Sequence, residues 1–438
     1  MGLGMRRLLA ALCVAGATMS VGWAADVPVA APAVAPLPPW NVTISSEVRY
    51  FSWQGNRGFP VSVAPANDGG RGAELYVPLA VQLAGRLTED LKLEFLTRGG
   101  WVWARQSTAG LSGEIATATD IVSSGTATYL GFNGIQPFAS VNLNLPTGTS
   151  ALFGTAANAR MDPDLVDIAT FGEGLNVGPT LGFNLPITSS LIVTASAGYT
   201  RRGDYEREST LAPVPGAPPP TVQRPTEIEP GDVFTGTSSV GYQAGPFVAK
   251  LTASITETRP TIENGMPLYK AGRRYLAAGT WSYAWPEWGT TTLTAAAAHS
   301  NRNEVLFAGA TALITEAMNT NSNLYRVGIQ HLFPVGRQAV IGPTGSFLFR
   351  DHNGYDPTTL QFVPAKERWA AGVLARYAPS DRVTFNARVE HVWTHEHENP
   401  APSDIKFNAL ADSFVPGSTV PVVSSTGWQF VVGATARF

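Results

Sequence analysis

The chain has one cysteine, few charges and no long apolar run after its first residues, and each lack removes a class of protein. Cys13 is that cysteine, and it falls inside an N-terminal segment that reads as a secretory signal. Arg6 and Arg7 give the positive start, residues 8–21 are mostly small or apolar, and Gly22-Trp23-Ala24 offers small residues at the cleavage positions. Leu12 precedes the cysteine where a lipoprotein signal needs a small residue. Cleavage after Ala24, with Ala25 the alternative, leaves a chain with neither disulfides nor thiol chemistry. No later stretch approaches the ~18 apolar residues that a transmembrane helix needs. Charged residues are only 14% of the 438, and the net charge of −3 gives no sign of nucleic-acid binding.

What is plentiful is glycine, threonine, serine and aromatic residues, the aromatics at 10%. Mean hydropathy near zero without long apolar runs is what alternating strands produce when one face meets lipid and the other water. Residues 25–40, rich in Ala, Val and Pro, read as an extended linker. From Asn41 the period is two. Val42, Ile44, Val48 and Tyr50 alternate with Thr43, Ser45, Glu47 and Arg49. Leu75, Val77, Leu79, Val81 and Leu83 share a face, and Leu91, Leu93, Phe95, Trp101 and Trp103 oppose Lys92, Glu94 and Arg98.

The connections alternate in length. Short turns are expected near residues 88–90, 133–134, 186–190, 244–245, 286–289, 334–336 and 379–381, each with hairpin chemistry. Long polar segments are expected at 54–72, 106–124, 147–173, 205–231, 260–271, 303–320, 351–366 and 398–424. Together they predict an all-β transmembrane antiparallel up-and-down β-barrel over residues 41–438, of about 16 strands, with short periplasmic turns and long extracellular loops. Aromatic residues at strand ends, among them Tyr50, Trp101, Trp285, Trp369, Tyr377 and Trp393, fit girdles at the two membrane interfaces.

Alternation also assigns charge. Opposite the apolar face lie Arg49, Arg86, Lys92, Arg98, Lys250, Arg274, Arg326, Arg350, Arg368, Arg376, Arg388 and Arg437, against Glu47, Glu74, Glu94 and Glu390. A lipid-facing Arg at mid-bilayer costs ~2–4 kcal/mol, so these groups need a wet lumen or partners inside a packed one. The wet reading gives an anion-leaning channel wall. The third long segment carries Asp162, Asp164, Asp167 and Glu173, candidates for a constriction set against that wall. The three aspartates also suit a divalent cation or a solvated acidic turn. His299-Ser300-Asn301 has the residue types of an outer-membrane hydrolase, but neighbours in a strand point to opposite faces. His391, His395 and His397 share one face, and the last two have spacing suited to a metal. No catalytic residue, metal or cofactor is expected.

The last strand places Trp428, Phe430, Val432, Ala434, Ala436 and Phe438 on one face. A C-terminal Phe on such a face resembles the signal that the outer-membrane assembly machinery recognises, which implies an assembly role for Phe438. Asn142-Leu143-Asn144-Leu145-Pro146-Thr147-Gly148, then Gly178-Pro179 before Leu181-Gly182-Phe183, then Ser196-Ala197-Gly198-Tyr199 with Arg201-Arg202-Gly203, resemble the outer-membrane channel family of the phenol-degradation meta pathway, thought to admit organic solutes. The likeness covers roughly residues 135–205. In architecture the chain resembles 16-stranded general porins, whose third loop narrows the pore and which are often homotrimers. These resemblances imply a Gram-negative outer-membrane location, with small solutes, membrane lipid, lipopolysaccharide and the assembly machinery as partners. The expected function is a passive diffusion channel. A gated transporter of apolar or aromatic organic solutes, and a structural or adhesive surface barrel, stay open as alternatives.

Overall fold

The computed structural model describes residues 40–55, 70–108, 111–132, 134–152, 156, 171–208, 225–263, 265–306, 310–357, 362–397, 406–408, 413–415 and 423–438. The signal segment and the linker expected at 25–40, apart from Trp40, lie outside them, as do Asp162, Asp164 and Asp167.

Sixteen antiparallel strands form the main sheet. They are β1 (Asn41–Gly55), β2 (Gly70–Arg86), β3 (Leu91–Thr108), β4 (Leu111–Ala118 continued by Ile121–Tyr129), β5 (Gln136–Leu145), β6 (Asn176–Pro186), β7 (Leu191–Thr200) and β8 (Val233–Ala244). They continue through β9 (Phe247–Thr258), β10 (Arg274–Trp285), β11 (Gly289–Ser300), β12 (Leu324–Val335), β13 (Ala339–Arg350), β14 (Lys366–Tyr377), β15 (Val383–Glu396) and β16 (Val423–Arg437). Each pairs with its neighbour in sequence, and β16 pairs with β1 from Thr43↔Arg437 to Gly55↔Ser425, so the sheet closes on itself. Closure leaves no unpaired edge among the strands, which is what lipid demands of a sheet. The outward face is apolar as the alternation requires: Leu79, Leu181, Leu251, Ile329 and Val432 are each half or more exposed. No helix among the described residues is long and apolar enough to cross a membrane, and this barrel crosses with strands.

All seven expected short turns are present, at residues 87–90, 130–132 with 134–135, 187–190, 245–246, 286–288, 336–338 and 378–382. The long connections gather at the other end, where short strands within them, from Tyr205–Glu208 to Ile314–Thr315, form a separate six-stranded sheet. One expected long loop is not a loop. Residues 106–124 are mostly strand, with Thr108 paired to Leu111 and Trp101 to Ala118. The alternation of Gly113, Ile115 and Thr117 against Ser112, Glu114 and Ala116 simply carries the wall upward. With 15, 17 and 18 residues, β1, β2 and β3 stand taller than the 10- to 12-residue strands of β5 to β14.

The register slips once in this tall sector. Trp101 pairs with Ala118 but Arg98 with Val122, which leaves one extra residue in β4 opposite Gly99 and Gly100. This is a β-bulge at Thr119 and Asp120, and it re-aims the side chains around it. Thr119 N donates to Gly100 O at 2.9 Å, holding the bulge to β3.

Candidate functional site: a charged lumen under a pinned third loop

In an antiparallel sheet, residues directly opposite one another project to the same side. The register can therefore be followed around the ring to define the interior. Starting from Arg49, the inward set runs through Tyr76 and Val102 on β2 and β3, and through Val431 and Arg388 on β16 and β15. Followed throughout, it collects all eleven basic residues proposed for the pore: Arg49, Arg86, Lys92, Arg98, Lys250, Arg274, Arg326, Arg350, Arg368, Arg376 and Arg388. Arg437 joins them through Thr43. Two further inward groups went unread in the sequence: Lys366, and Glu396 opposite it at 3.8 Å.

The acids are spent locally. Glu47 pairs with Arg49, Glu94 with Lys92 at 3.0 Å, and Glu390 with Arg388 at 3.4 Å while also accepting from Thr344. Arg368 donates to Gln429 at 3.0 Å, and Arg350 to the Pro364 carbonyl at 3.4 Å. Within the barrel strands basic groups outnumber acidic ones by a wide margin. They are also unevenly placed: all but Lys250 and Arg274 of the eleven lie on β1 to β3 and β12 to β15. The facing arc, β4 to β11, is lined by hydroxyls and amides that bond across strands. Thr126 and Ser140 are 2.8 Å apart, Thr194 donates to Asn184 at 2.8 Å, and Ser282 and Thr292 are 3.0 Å apart. One side of the lumen is strongly cationic, and the other is mainly polar with Lys250 and Arg274 as its basic groups.

Above Arg49, Arg98 and Arg388, near the long-loop end, the tall sector turns apolar. Phe51, Trp53, Val102, Ala104, Ile115, Ala370 and Val392 form one buried cluster with Tyr76 against it. Trp53 lies across Gly72, with its Nε1 only 2.4 Å from where a Cβ would stand. The third loop reaches this collar through Leu152 and Phe171, both nearly inaccessible to solvent.

The bulge supplies the second hold on that loop. The Asp120 carboxylate accepts from Asn144 Nδ2 at 2.7 Å, from Gly148 N at 2.9 Å and from Glu173 N at 2.7 Å. Its own amide donates to Phe171 O at 3.1 Å. Both ends of the loop are thus tied to one side chain. Gly148 is required there, since a Cβ would sit 1.9 Å from the Phe171 carbonyl oxygen. The glycine of the Leu-Pro-x-Gly stretch therefore marks the neck of the third loop. Glu173, read as a constriction acid, is engaged at this root: it accepts from Arg202 at 2.8 Å and from Asn176 at 3.2 Å.

The remaining candidates face outward or lie apart. His299 is opposite Tyr275 and Ser300 opposite Arg274, so their side chains project to different faces and make no nucleophile–base pair. His299 Nδ1 is instead 2.6 Å from Asn323 Oδ1. His395 contacts Ser424 at 3.2 Å, and His397 lies 3.5 Å from Glu367. Among the described residues no three His, Cys, Asp or Glu side chains are grouped to hold a metal.

A closed 16-stranded barrel with an apolar exterior and a charged interior belongs to the transmembrane β-barrel class. Solved structures of this kind resemble the chain. OpdK of Pseudomonas aeruginosa, solved with vanillate, has a TM-score of 0.41 at 9% identity, covering 91% of this chain and 99% of its own. An anion-selective porin from Comamonas acidovorans scores 0.38 at 13% identity, with 91% and 99% covered. An outer membrane channel from Pseudomonas putida F1 scores 0.37 at 10%, with 92% and 97% covered. No protein-family model and no curated protein sequence matches the chain. The fold assignment rests on the closed register and not on these likenesses.

Proposed function

We propose that the chain is an outer-membrane channel through which small solutes diffuse passively, with a lumen that favours anions. The observation that carries this reading is the surplus of basic side chains that the register gathers on the interior face. Fixed positive charge in a narrow, low-dielectric passage raises the local concentration of anions. The long loops then face the cell exterior and the short turns the periplasm, as in bacterial barrels generally. Replacing Arg326, Arg376 and Arg388 together with Gln tests the wall. In a planar bilayer under a salt gradient, the zero-current potential should move toward cation preference. The shift should be largest at low salt, because the screening length falls from ~30 Å at 0.01 M to ~3 Å at 1 M. An open, conducting barrel whose selectivity at low salt ignores the triple substitution would end the anion reading.

The apolar collar favours a second reading, a gated path for apolar or aromatic solutes. Leu152 and Phe171 pack the third loop onto the collar, so passage along that side requires the loop to move. Steady conductance from the purified protein supports the diffusion channel, and brief openings support the gated one.

A further inference from the structure

The outward face near the long-loop end carries a feature that the channel reading does not use. On one rung of the register Tyr50, Leu75 and Trp103 lie side by side. On the next rung toward the loops stand Trp428, Ser52, Ala73 and Arg105, and Arg71 is one rung higher. Ser52 and Ala73 are small, flanked on their rung by Trp428 and Arg105 with Trp103 one rung below, so the surface sinks between the two indoles. The result is a cavity of about 700 Å³ open on the outside of the barrel. His391 stands at its side, edge-on to Trp428 with ring centroids 4.8 Å apart, and its Nδ1 is buried without a hydrogen-bond partner among the described residues.

Arg71 and Arg105 are exposed at the upper rim, and neither makes an ion pair among the described residues; Glu114, directly opposite Arg105, instead accepts from Trp103 Nε1 at 2.8 Å. Their register, Arg71↔Ser107 and Ala73↔Arg105, makes them diagonal neighbours on one face, a separation of roughly 7–8 Å between backbones. A guanidinium facing hydrocarbon is unfavourable, so the rim sits at headgroup depth, directly above the apolar rungs. Two such groups bind phosphate oxygens in a bidentate manner. The indoles beneath them suit a sugar ring, and Leu75, Val77 and Leu79 continue downward as a surface for acyl chains.

We propose that this groove binds one phosphorylated glycolipid of the outer leaflet. Its phosphates would meet Arg71 and Arg105, and its sugar would lie between Trp103 and Trp428. The site is independent of what passes through the lumen, since Arg71, Arg105, Trp103 and Trp428 share the outward face, and only Trp53, Gly72 and Gly427 of its lining belong to the inward one.

The test uses the full mature barrel in neutral detergent, followed by native mass spectrometry during titration with bis-phosphorylated lipid A. One tightly held lipid is expected. Arg71→Ser with Arg105→Ser should weaken it at least tenfold, as should removing the phosphates from the lipid, while the double Lys variant should recover part of the loss. Ser52→Trp, which fills the floor and leaves both arginines, should weaken binding as well. Heat-shifted gel mobility identifies variants that fold. Wild-type affinity in both the double Ser and the Ser52→Trp variants overturns the proposal. Equal affinity for phosphatidylglycerol overturns the glycolipid assignment in favour of any anionic lipid. A stable oligomer that the double Ser variant dissociates would make the groove an interface between copies and would also overturn it.

Discussion

Removing the Asp120 carboxylate should unfasten the third loop without unfolding the barrel. The carboxylate accepts three hydrogen bonds, two from backbone amides at opposite ends of the loop. A hydrogen bond to a charged group contributes ~1.5–3 kcal/mol, and three sharing one partly exposed acceptor do not add fully, so about 4 kcal/mol is at stake. That is nearly three orders of magnitude in the ratio of fastened to released loop. Leu152 and Phe171 remain buried, each contributing ~1.5–3 kcal/mol, so the loop stays associated on average and opens more often. Asp120→Ala should therefore lower amide-exchange protection at Gly148 and Glu173 by roughly a hundredfold or more, with protection in β8 to β11 unchanged. Asp120→Asn, whose one oxygen can still accept from Asn144 and Glu173 but whose NH2 then faces Gly148 N, should lose about half that free energy. Single-channel traces of the Ala variant should show added current fluctuation. Unchanged protection at both amides would refute the latch, and a collapse of protection throughout the barrel would show that the bulge is holding up the sheet instead.

A cysteine at Thr311, in a long connection, should react with an impermeant thiol reagent on intact cells, and one at Glu287, in a short turn, should not; the reverse pattern inverts the topology. Phe438→Ala should reduce the amount of barrel in the membrane far more than the stability of refolded protein, because the side chain is 67% exposed and its backbone bonds to Val42 persist; normal membrane levels would remove the assembly role. Asp232 accepts from the Tyr199 hydroxyl at 2.6 Å and from Arg202 N at 3.2 Å, and the Tyr199 bond foremost holds its carboxyl below the usual range. A depressed carboxylate stabilises the fold above its unfolded value near ~3.9 and loses that contribution as pH falls through the folded value. Pepsin sensitivity near residue 202 should therefore rise as pH falls below about 3.9, and Asp232→Asn should remove that dependence; identical pH curves for the two proteins would contradict it.

Barrel class, strand number and turn positions could be read from the sequence because they follow from a period of two and from local turn chemistry. Both act over ten or so residues. The face shared by the basic residues follows from the same period, and the register lets it be traced around the ring; that this face lines a pore is our proposal. The apolar collar could not be read, although a signal was present. Phe51 and Trp53 occupy the polar parity of β1 just beyond Arg49, where alternation alone expects more water-facing side chains. Their meaning depends on Ala370 and Val392, more than three hundred residues away. Asp120 was invisible for a related reason. Its importance comes from a one-residue register slip against Gly99 and Gly100, and from two loop ends that are 25 residues apart in the chain, at Gly148 and Glu173.

The seam between β16 and β1 sets a condition on how the molecule is made. The strand that completes the ring is the last of the barrel to be made, and its partner is the first. Until the two meet, both bordering strands hold backbone amides and carbonyls that hydrocarbon cannot solvate, each unfavourable by several kcal/mol. No partial sheet is therefore at home in the bilayer, and a chain cut short at either end of the barrel is deprived of the same seam. Insertion has to be a late, all-at-once event for this protein, with the entire barrel sequence at hand before a single strand is committed to lipid.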